Sequence, residues 1–175
     1  MKFYFAYGSN INIKQMKNRC PSAKFYSKAV LKGYRLDFPV WSKRWRGGAA
    51  GIIPDKKTQV EGIVYEISKE DFVKLDKFEG VKDKRYYKGK VKVILSNGNK
   101  LETLTYFPNI QEKKTFKPSK KYLMTIRTGA IDRGLSEQFI KYLDILALKS
   151  CRTNKECFSE ALVQTISNII KNDGQ

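Results

Sequence analysis

The stretch Phe3-Tyr4-Phe5-Ala6-Tyr7-Gly8-Ser9-Asn10 carries the strongest fold signal of this chain. Its first five residues are rich in aromatic side chains and predict a buried first strand. Gly8 breaks that strand, and Ile11 to Arg19 predicts a short helix. Because a strand, a tight turn and a helix start leave several backbone amides without an acceptor, this segment predicts a binding place for an anion or a developing oxyanion. In the alternative interpretation Asn10 is only a helix cap and Gly8 only a turn residue.

A second segment, Lys74-Leu75-Asp76-Lys77-Phe78-Glu79-Gly80, lies about seventy residues later. Ser68 provides an N-cap signature for a helix through this segment, and Gly80 is placed to end it. Glu79 then falls in the last turn, where helix carbonyls and the neighbouring Phe78 both raise the pKa of its carboxyl group. Such a group is suited to general acid/base catalysis near neutral pH. The alternative is a solvated Glu79 among lysines.

The composition indicates a folded globular protein. The chain has 175 residues, of which 41% are hydrophobic and 13% aromatic, and this length fits a single domain, 1–175. No stretch approaches the ~20 apolar residues that span a membrane, and Met1 to Phe5 does not resemble a signal peptide. We therefore expect a cytoplasmic protein without membrane association.

The absence of histidine excludes more types of active site than any other feature of the composition. With 0 histidines, Ser-His and Cys-His nucleophilic sites and histidine-ligated metals are excluded. Cys20, Cys151 and Cys157 show no metal or redox spacing and are expected to be reduced thiols. We expect no metal site, and any proton transfer must use carboxylates, amines, phenols, thiols or water.

The formal net charge of +18 is the one feature that favours another class of function. An excess of lysine and arginine can bind nucleic acid or anionic lipid. The basic residues are scattered, however, and clusters such as Lys113–Lys121 are short. We therefore expect no nucleic-acid partner, and a polyanion-binding function stays the rival from a different class.

The remaining pattern predicts strands in the first two thirds and helices after them, hence an α+β domain. An extended segment is predicted at Phe25–Asp37, bent at Gly33 and ended by Pro39, with a loop at Trp41–Gly48 after it. Two further strands, Ala49–Ile53 and Val60–Ile67, are separated by a predicted turn at Pro54–Lys57. The last two strands, Tyr86–Leu95 and Lys100–Phe107, form a predicted hairpin. The predicted helices are Lys120–Thr128 ending at Gly129, Ser136 to about Lys149, and a last one at 155–171.

In order along the chain, several motifs together resemble the gamma-glutamylcyclotransferase family, also described as AIG2-like. They are Phe5-Ala6-Tyr7-Gly8-Ser9-Asn10, Leu36-Asp37-Phe38, Trp45-Arg46-Gly47-Gly48, Glu61-Gly62-Ile63-Val64-Tyr65-Glu66, Leu75-Asp76-Lys77-Phe78-Glu79-Gly80-Val81, and Ile126 to Leu135. The resemblance covers roughly residues 3 to 145 and leaves the predicted helix 155–171 unmatched.

The resemblance implies a small α+β fold, a twisted, barrel-like mixed sheet flanked by helices. It also implies the cyclisation of an L-γ-glutamyl amino acid to 5-oxoproline with release of the free amino acid, a reaction for which we expect no cofactor. Glu79 matches the family's acid/base glutamate. The residues that match substrate-binding positions are Tyr7, Gly8, Ser9, Asn10, Tyr86 and Tyr106.

Two matters stay open at this level. A γ-glutamylamine cyclotransferase is a rival within the superfamily. The specificity for the leaving amine lies in loops such as Trp41–Gly48, whose conformation the sequence does not predict. Dimers occur among relatives, so a homodimer is an alternative to the monomer.

Overall fold

The structure is a computed structural model and describes residues 1–110 and 114–150. In this part of the chain the strands are β1 (Lys2–Ala6), β2 (Lys24–Ser42), β3 (Gly47–Ile67), β4 (Tyr86–Leu95) and β5 (Lys100–Pro108). The helices are a 3-10 turn at Ser9–Ile11, α1 (Ile13–Arg19), α2 (Lys69–Glu79), α3 (Lys120–Asp132) and α4 (Glu137–Ser150). The predicted helix 155–171 lies outside the described residues.

The strands close into a barrel in the order β1-β3-β2-β4-β5. Neighbouring strands run antiparallel except β1 and β5, which pair in parallel at Tyr4 and Leu104. The predicted α+β class with a barrel-like mixed sheet is thus confirmed. Closure removes free sheet edges and buries one face of every strand. The helices contribute the rest of the core. Phe5 of β1, Ile63 of β3 and Ile126 of α3 are all fully buried.

The β2–β3 hairpin is longer and less regular than the sequence predicts. Pro39 was expected to end the strand, but β2 continues to Ser42 because a register shift between Asp37 and Val40 accommodates a residue without an N–H donor. The expected turn at Pro54–Lys57 is also not a break in the strand. Tyr34 pairs with Pro54 and Lys32 with Gln59, so residues 55–58 bulge out opposite Gly33 within β3. The expected loop Trp41–Gly48 shrinks to a tight turn between β2 and β3.

Two caps set where the site-forming helices begin and end. Asn12, not Asn10, is the N-cap of α1, and its side chain accepts a hydrogen bond from the Gln15 backbone at 3.0 Å. The helix therefore begins at Ile13, two residues later than predicted. Ser68 caps α2 as predicted, and Gly80 ends that helix with a left-handed φ of 67°. The Asn10 side chain therefore does not cap α1 and can form hydrogen bonds elsewhere.

The helix α3 does not end at Gly129, as the sequence predicted, but runs to Asp132. A Cβ at position 129 would lie only 2.5 Å from the Asn12 backbone nitrogen. Gly129 is therefore required for close packing of α3 against the start of α1, and Gly134, with a φ of 62°, provides the turn that follows the helix. This contact holds the turn after β1 against α3. No helix among residues 1–110 and 114–150 is long and apolar enough to cross a membrane.

Candidate active site

A cavity of about 280 Å³ opens beside the turn that follows β1. The end of α2, the β2–β3 hairpin, β4, β5 and α3 also contribute to its walls. Every residue predicted for the site lines it: Tyr7, Gly8, Ser9, Asn10, Glu79, Tyr86 and Tyr106. The fold thus brings together positions that are up to about a hundred residues apart in the chain.

The turn at Gly8 is held by close contacts and not by unusual backbone angles. Its φ is −114°, which other residues can also adopt. A Cβ at this position, however, would lie 3.0 Å from the Ala50 Cβ and 3.3 Å from the Tyr122 hydroxyl. Glycine therefore lets the turn pack against β3 and α3, beside the cavity that Gly8, Ser9 and Asn10 line. The first N–H groups of a helical turn have no acceptor within that turn.

The Asn10 amide connects the turn to the acid. Its Nδ2 donates to Glu79 Oε1 at 3.2 Å and to the Tyr4 hydroxyl at 2.9 Å. Its Oδ1 accepts from Arg19 Nη1 at 2.8 Å and from Gln15 Nε2 at 3.3 Å. Because both ends of the amide are engaged and Asn10 is only 4% exposed, the amide has one defined orientation and fixes Glu79.

Glu79 is the last residue of α2, and its side chain is 18% exposed. Burial raises the pKa of its carboxyl group, while Arg19, the Asn10 hydrogen bond and Arg85 lower it, leaving the pKa above the ordinary glutamate value. Arg19 Nη1 lies 3.6 Å from Oε1. The carboxyl group is therefore shielded but reachable, as proton transfer with a small molecule requires.

Tyr86 and Tyr106 both place their hydroxyl groups in hydrogen bonds to the protein. The Tyr86 hydroxyl donates to the Ala50 carbonyl at 2.8 Å, and the Tyr106 hydroxyl donates to Asp76 Oδ1 at 2.7 Å. Burial raises the pKa of both phenols, so they stay neutral. Since each proton is already donated, each phenol oxygen can accept a hydrogen bond from a ligand ammonium group.

Sequence reasoning missed several lining residues. Arg19 resembles the other basic residues of its helix in sequence, and only the fold shows it 8% exposed against Asn10 and Glu79. Tyr4 of β1 and Tyr122 of α3 also line the cavity, and neither strand nor helix periodicity gave a reason to choose them over other aromatic residues. Together with Tyr7, Tyr86 and Tyr106 they form what we call the buried wall; these five tyrosines are each at most 6% exposed.

The two tryptophans near the β2–β3 turn differ in their relation to the cavity. Trp45 lines the cavity and packs on Tyr122 with ring centroids 4.9 Å apart. Trp41 is 51% exposed and packs on Phe116 away from the cavity. Cys20 is buried, and burial raises the pKa of its thiol to about 12, so it is no thiolate nucleophile.

The described part of the cavity wall contains one carboxylate, Glu79, and otherwise neutral or basic side chains. Among residues 1–110 and 114–150, no three His, Cys, Asp or Glu side chains are grouped so as to hold a metal ion. The arrangement therefore offers one acid/base group in a cavity that the Gly8–Asn10 turn also lines.

Known proteins are similar to this chain in sequence and in architecture. The AIG2-like family matches residues 59–143. Gamma-glutamylcyclotransferase of Bos taurus is 35% identical over 145 residues, covering 81% of this chain and 76% of the relative. The Homo sapiens protein of the same name is 34% identical over 140 residues, covering 78% and 73%.

A solved structure named gamma-glutamyl cyclotransferase superposes with a TM-score of 0.77 at 30% identity, covering 95% of this chain and 98% of that one. Similarity of sequence and of fold thus extends over most of both chains. The chain belongs to the gamma-glutamylcyclotransferase family.

Proposed function

We propose that this protein is a gamma-glutamylcyclotransferase that converts an L-γ-glutamyl amino acid to 5-oxoproline and the free amino acid, with Glu79 as its acid/base residue. The observation that carries the proposal is the hydrogen bond of 3.2 Å between Asn10 and Glu79. This contact links a shielded carboxylate with a raised pKa to a residue of the Gly8–Asn10 turn in one cavity, and it supports the proposal.

The reaction begins with the substrate's α-ammonium group, which must lose a proton to become a nucleophile. Glu79, in its ionised form, accepts that proton. Its raised pKa brings the carboxylate closer in basicity to the amine and makes the transfer less unfavourable. The phenol oxygens of Tyr86 and Tyr106 can accept hydrogen bonds from the same ammonium group and orient it.

The free amine then attacks the γ-carbonyl carbon of its own molecule. A new C–N bond closes the five-membered ring, and the carbonyl oxygen becomes an oxyanion. Because nucleophile and electrophile belong to one molecule, the enzyme's task is to hold the glutamyl chain folded. The N–H groups of the Gly8–Asn10 turn stabilise the oxyanion.

The old amide C–N bond breaks as the tetrahedral intermediate collapses. Protonated Glu79 gives its proton to the departing amine, and the regenerated carboxylate takes the second proton of the ring nitrogen, which becomes the lactam N–H. That second proton converts the released amine to the ammonium group of the free amino acid and leaves Glu79 ionised. One C–N bond forms and one breaks, with no change of oxidation state, so the reaction needs no cofactor.

The decisive experiment measures 5-oxoproline formation by the wild type and the Glu79→Gln variant. We expect kcat/KM to fall by about 10²- to 10⁴-fold in the variant, since it cannot accept the proton. Glu70→Gln, at an exposed position of the same helix, is the matched control and should retain full activity. A Glu79→Gln protein that is folded and fully active would refute the assignment.

A substrate panel separates the rivals within the superfamily. Turnover of γ-glutamyl-alanine in preference to γ-glutamyl-ε-lysine supports the amino-acid substrate class, and the reverse preference identifies a γ-glutamylamine cyclotransferase. A salt-sensitive gel shift without 5-oxoproline formation would instead support the polyanion-binding alternative.

The family acts on small-molecule γ-glutamyl substrates. We further propose a cytoplasmic location, supported by the buried free thiol of Cys20, which cell fractionation tests. A homodimer is also proposed; light scattering after size-exclusion chromatography distinguishes it from the monomer.

A further inference from the structure

The side chains at the opening of the cavity differ in charge from those inside it. Of the lining residues that the structure describes, four are exposed: Arg44, Lys77, Phe78 and Arg85. We call these four residues the basic mouth. Three of them are cations, and they come from the β2–β3 turn, the last turn of α2 and the segment before β4.

None of the three cations forms an ion pair within 4.0 Å with a described carboxylate, although Arg85 acts on Glu79 from a longer distance. In the ranges 1–110 and 114–150, the ion pairs within 4.0 Å involve other basic residues. The Arg44 guanidinium lies 5.3 Å from the Trp45 ring centroid. Arg85 lies over Gly80, where a Cβ would come within 2.3 Å of Arg85 Nε. Aromatic and backbone surfaces thus support these charged groups without cancelling their charge.

The proposed reaction decides which part of the substrate reaches the basic mouth. The departing amine must lie beside Glu79 to receive its proton, and the γ-glutamyl part occupies the Gly8–Asn10 turn. The five tyrosines of the buried wall close the inner side. The released portion of the substrate therefore extends outward, between Lys77 and Arg44.

We propose that the basic mouth selects γ-glutamyl substrates whose released portion is acidic, that is, an amino acid or short peptide with two or more carboxylates. This inference rests on the proposed function. A released neutral amino acid offers one carboxylate to three cations, while an acidic one offers a second carboxylate. Exposed ion pairs contribute little each, but three converge on this position.

The experiment compares γ-glutamyl-glutamate with γ-glutamyl-glutamine. These dipeptides are nearly equal in size and differ by one carboxylate. For the wild type we expect kcat/KM to favour γ-glutamyl-glutamate by about 10-fold, and each single change, Arg44→Gln, Lys77→Gln or Arg85→Gln, to lower that ratio by about 2- to 5-fold. The triple variant should bring the ratio close to one.

The ratio is used because Arg85 also lowers the pKa of Glu79. That effect acts on both dipeptides alike and cancels in the ratio. The matched control removes the same number of positive charges from exposed positions outside the cavity, with Lys14→Gln, Lys69→Gln and Lys92→Gln combined. It should leave the ratio unchanged, which distinguishes an effect of the basic mouth from an effect of the protein's overall positive charge.

Equal turnover of both dipeptides by the wild type would overturn this inference and leave the proposed function standing. So would a control variant that lowers the ratio as much as the mouth variant does. If neither dipeptide nor γ-glutamyl-alanine yields 5-oxoproline, the proposed function falls and this inference with it.

Discussion

The buried wall and the basic mouth border the same cavity but place their polar groups in opposite environments. In the wall, the Tyr86 and Tyr106 hydroxyls donate to protein acceptors at 2.8 and 2.7 Å, and every tyrosine ring is at most 6% exposed. In the mouth, Arg44, Lys77 and Arg85 are exposed to solvent.

This difference teaches where a charge acts strongly. Near the wall, burial removes the Glu79 carboxylate from water and thereby raises its pKa. The low polarity of these surroundings also strengthens each interaction between charges. At the mouth, water and salt screen each cation, so only their number and convergence matter. Chemistry and substrate selection are therefore assigned to different depths of one cavity, and each can be disturbed separately.

After the loss expected for Glu79→Gln, the largest effect on activity is expected from Gly8→Ala, which disturbs the turn beside the buried wall. The added methyl group would lie 3.0 Å from the Ala50 Cβ, so the turn must shift. We expect kcat/KM to fall by about 10- to 100-fold, since small displacements misalign the reacting groups. Steady-state kinetics measures this effect. The double variant Gly8→Ala/Ala50→Gly removes the crowding atom and should restore part of the activity; no recovery would contradict the packing argument.

Arg19→Gln should change the pH dependence. Arg19 lowers the pKa of Glu79, so its removal raises that pKa further, and a larger share of Glu79 is protonated at any given pH. Because the proposed reaction needs the carboxylate, the acid limb of kcat/KM should move to higher pH, with activity recovering under alkaline conditions. Arg19→Lys retains the charge and should keep the limb nearer its original position. An equal loss at every pH would indicate structural damage only.

Glu79→Gln should stabilise the fold above acid pH. The folded pKa of Glu79 exceeds the unfolded value of about 4.3, so ionisation disfavours the folded state and lowers the free energy of unfolding as pH rises between the two values. Glutamine carries no such penalty. The difference in Tm, variant minus wild type, should be small below pH ~4 and grow to a positive plateau above the folded pKa. Thermal unfolding at several pH values checks the sign, and a difference that shrinks with rising pH would contradict it.

The smallest effect is expected from salt at the basic mouth. Raising the ionic strength from about 0.05 M to about 0.5 M shortens the Debye length and screens exposed cations. We expect KM for γ-glutamyl-glutamate to rise about twofold while kcat stays constant, because Glu79 is shielded from solvent. The mouth triple variant serves as the control and should show no such rise. A change in kcat alone would contradict the prediction, because it would mean that salt acts on the chemical step beside the buried wall and not on binding at the basic mouth.

Local sequence signals predicted the elements that build the site. Ser68 and Gly80 bound α2 because a capping hydroxyl and a left-handed residue act within one turn of the chain. The Asn97-Gly98 turn joins β4 and β5 for the same local reason. The predictions failed where another segment intervened. Pro39 did not end β2 because β3 supplied a bulged register, and Gly129 did not end α3 because it packs on Asn12.

By itself, the sequence determined the chemical types available here: a chain without histidine, a carboxylate at the end of one helix and a glycine turn after the first strand. Only the tertiary structure decided which groups meet. It showed that Asn10 is not the helix cap of the alternative interpretation but the link between the turn and Glu79, and it singled out Arg19 from many basic residues. The physical reason is that caps and turns depend on neighbours in the chain, whereas burial, pKa shifts and ion pairs depend on barrel closure, which joins residues far apart in sequence.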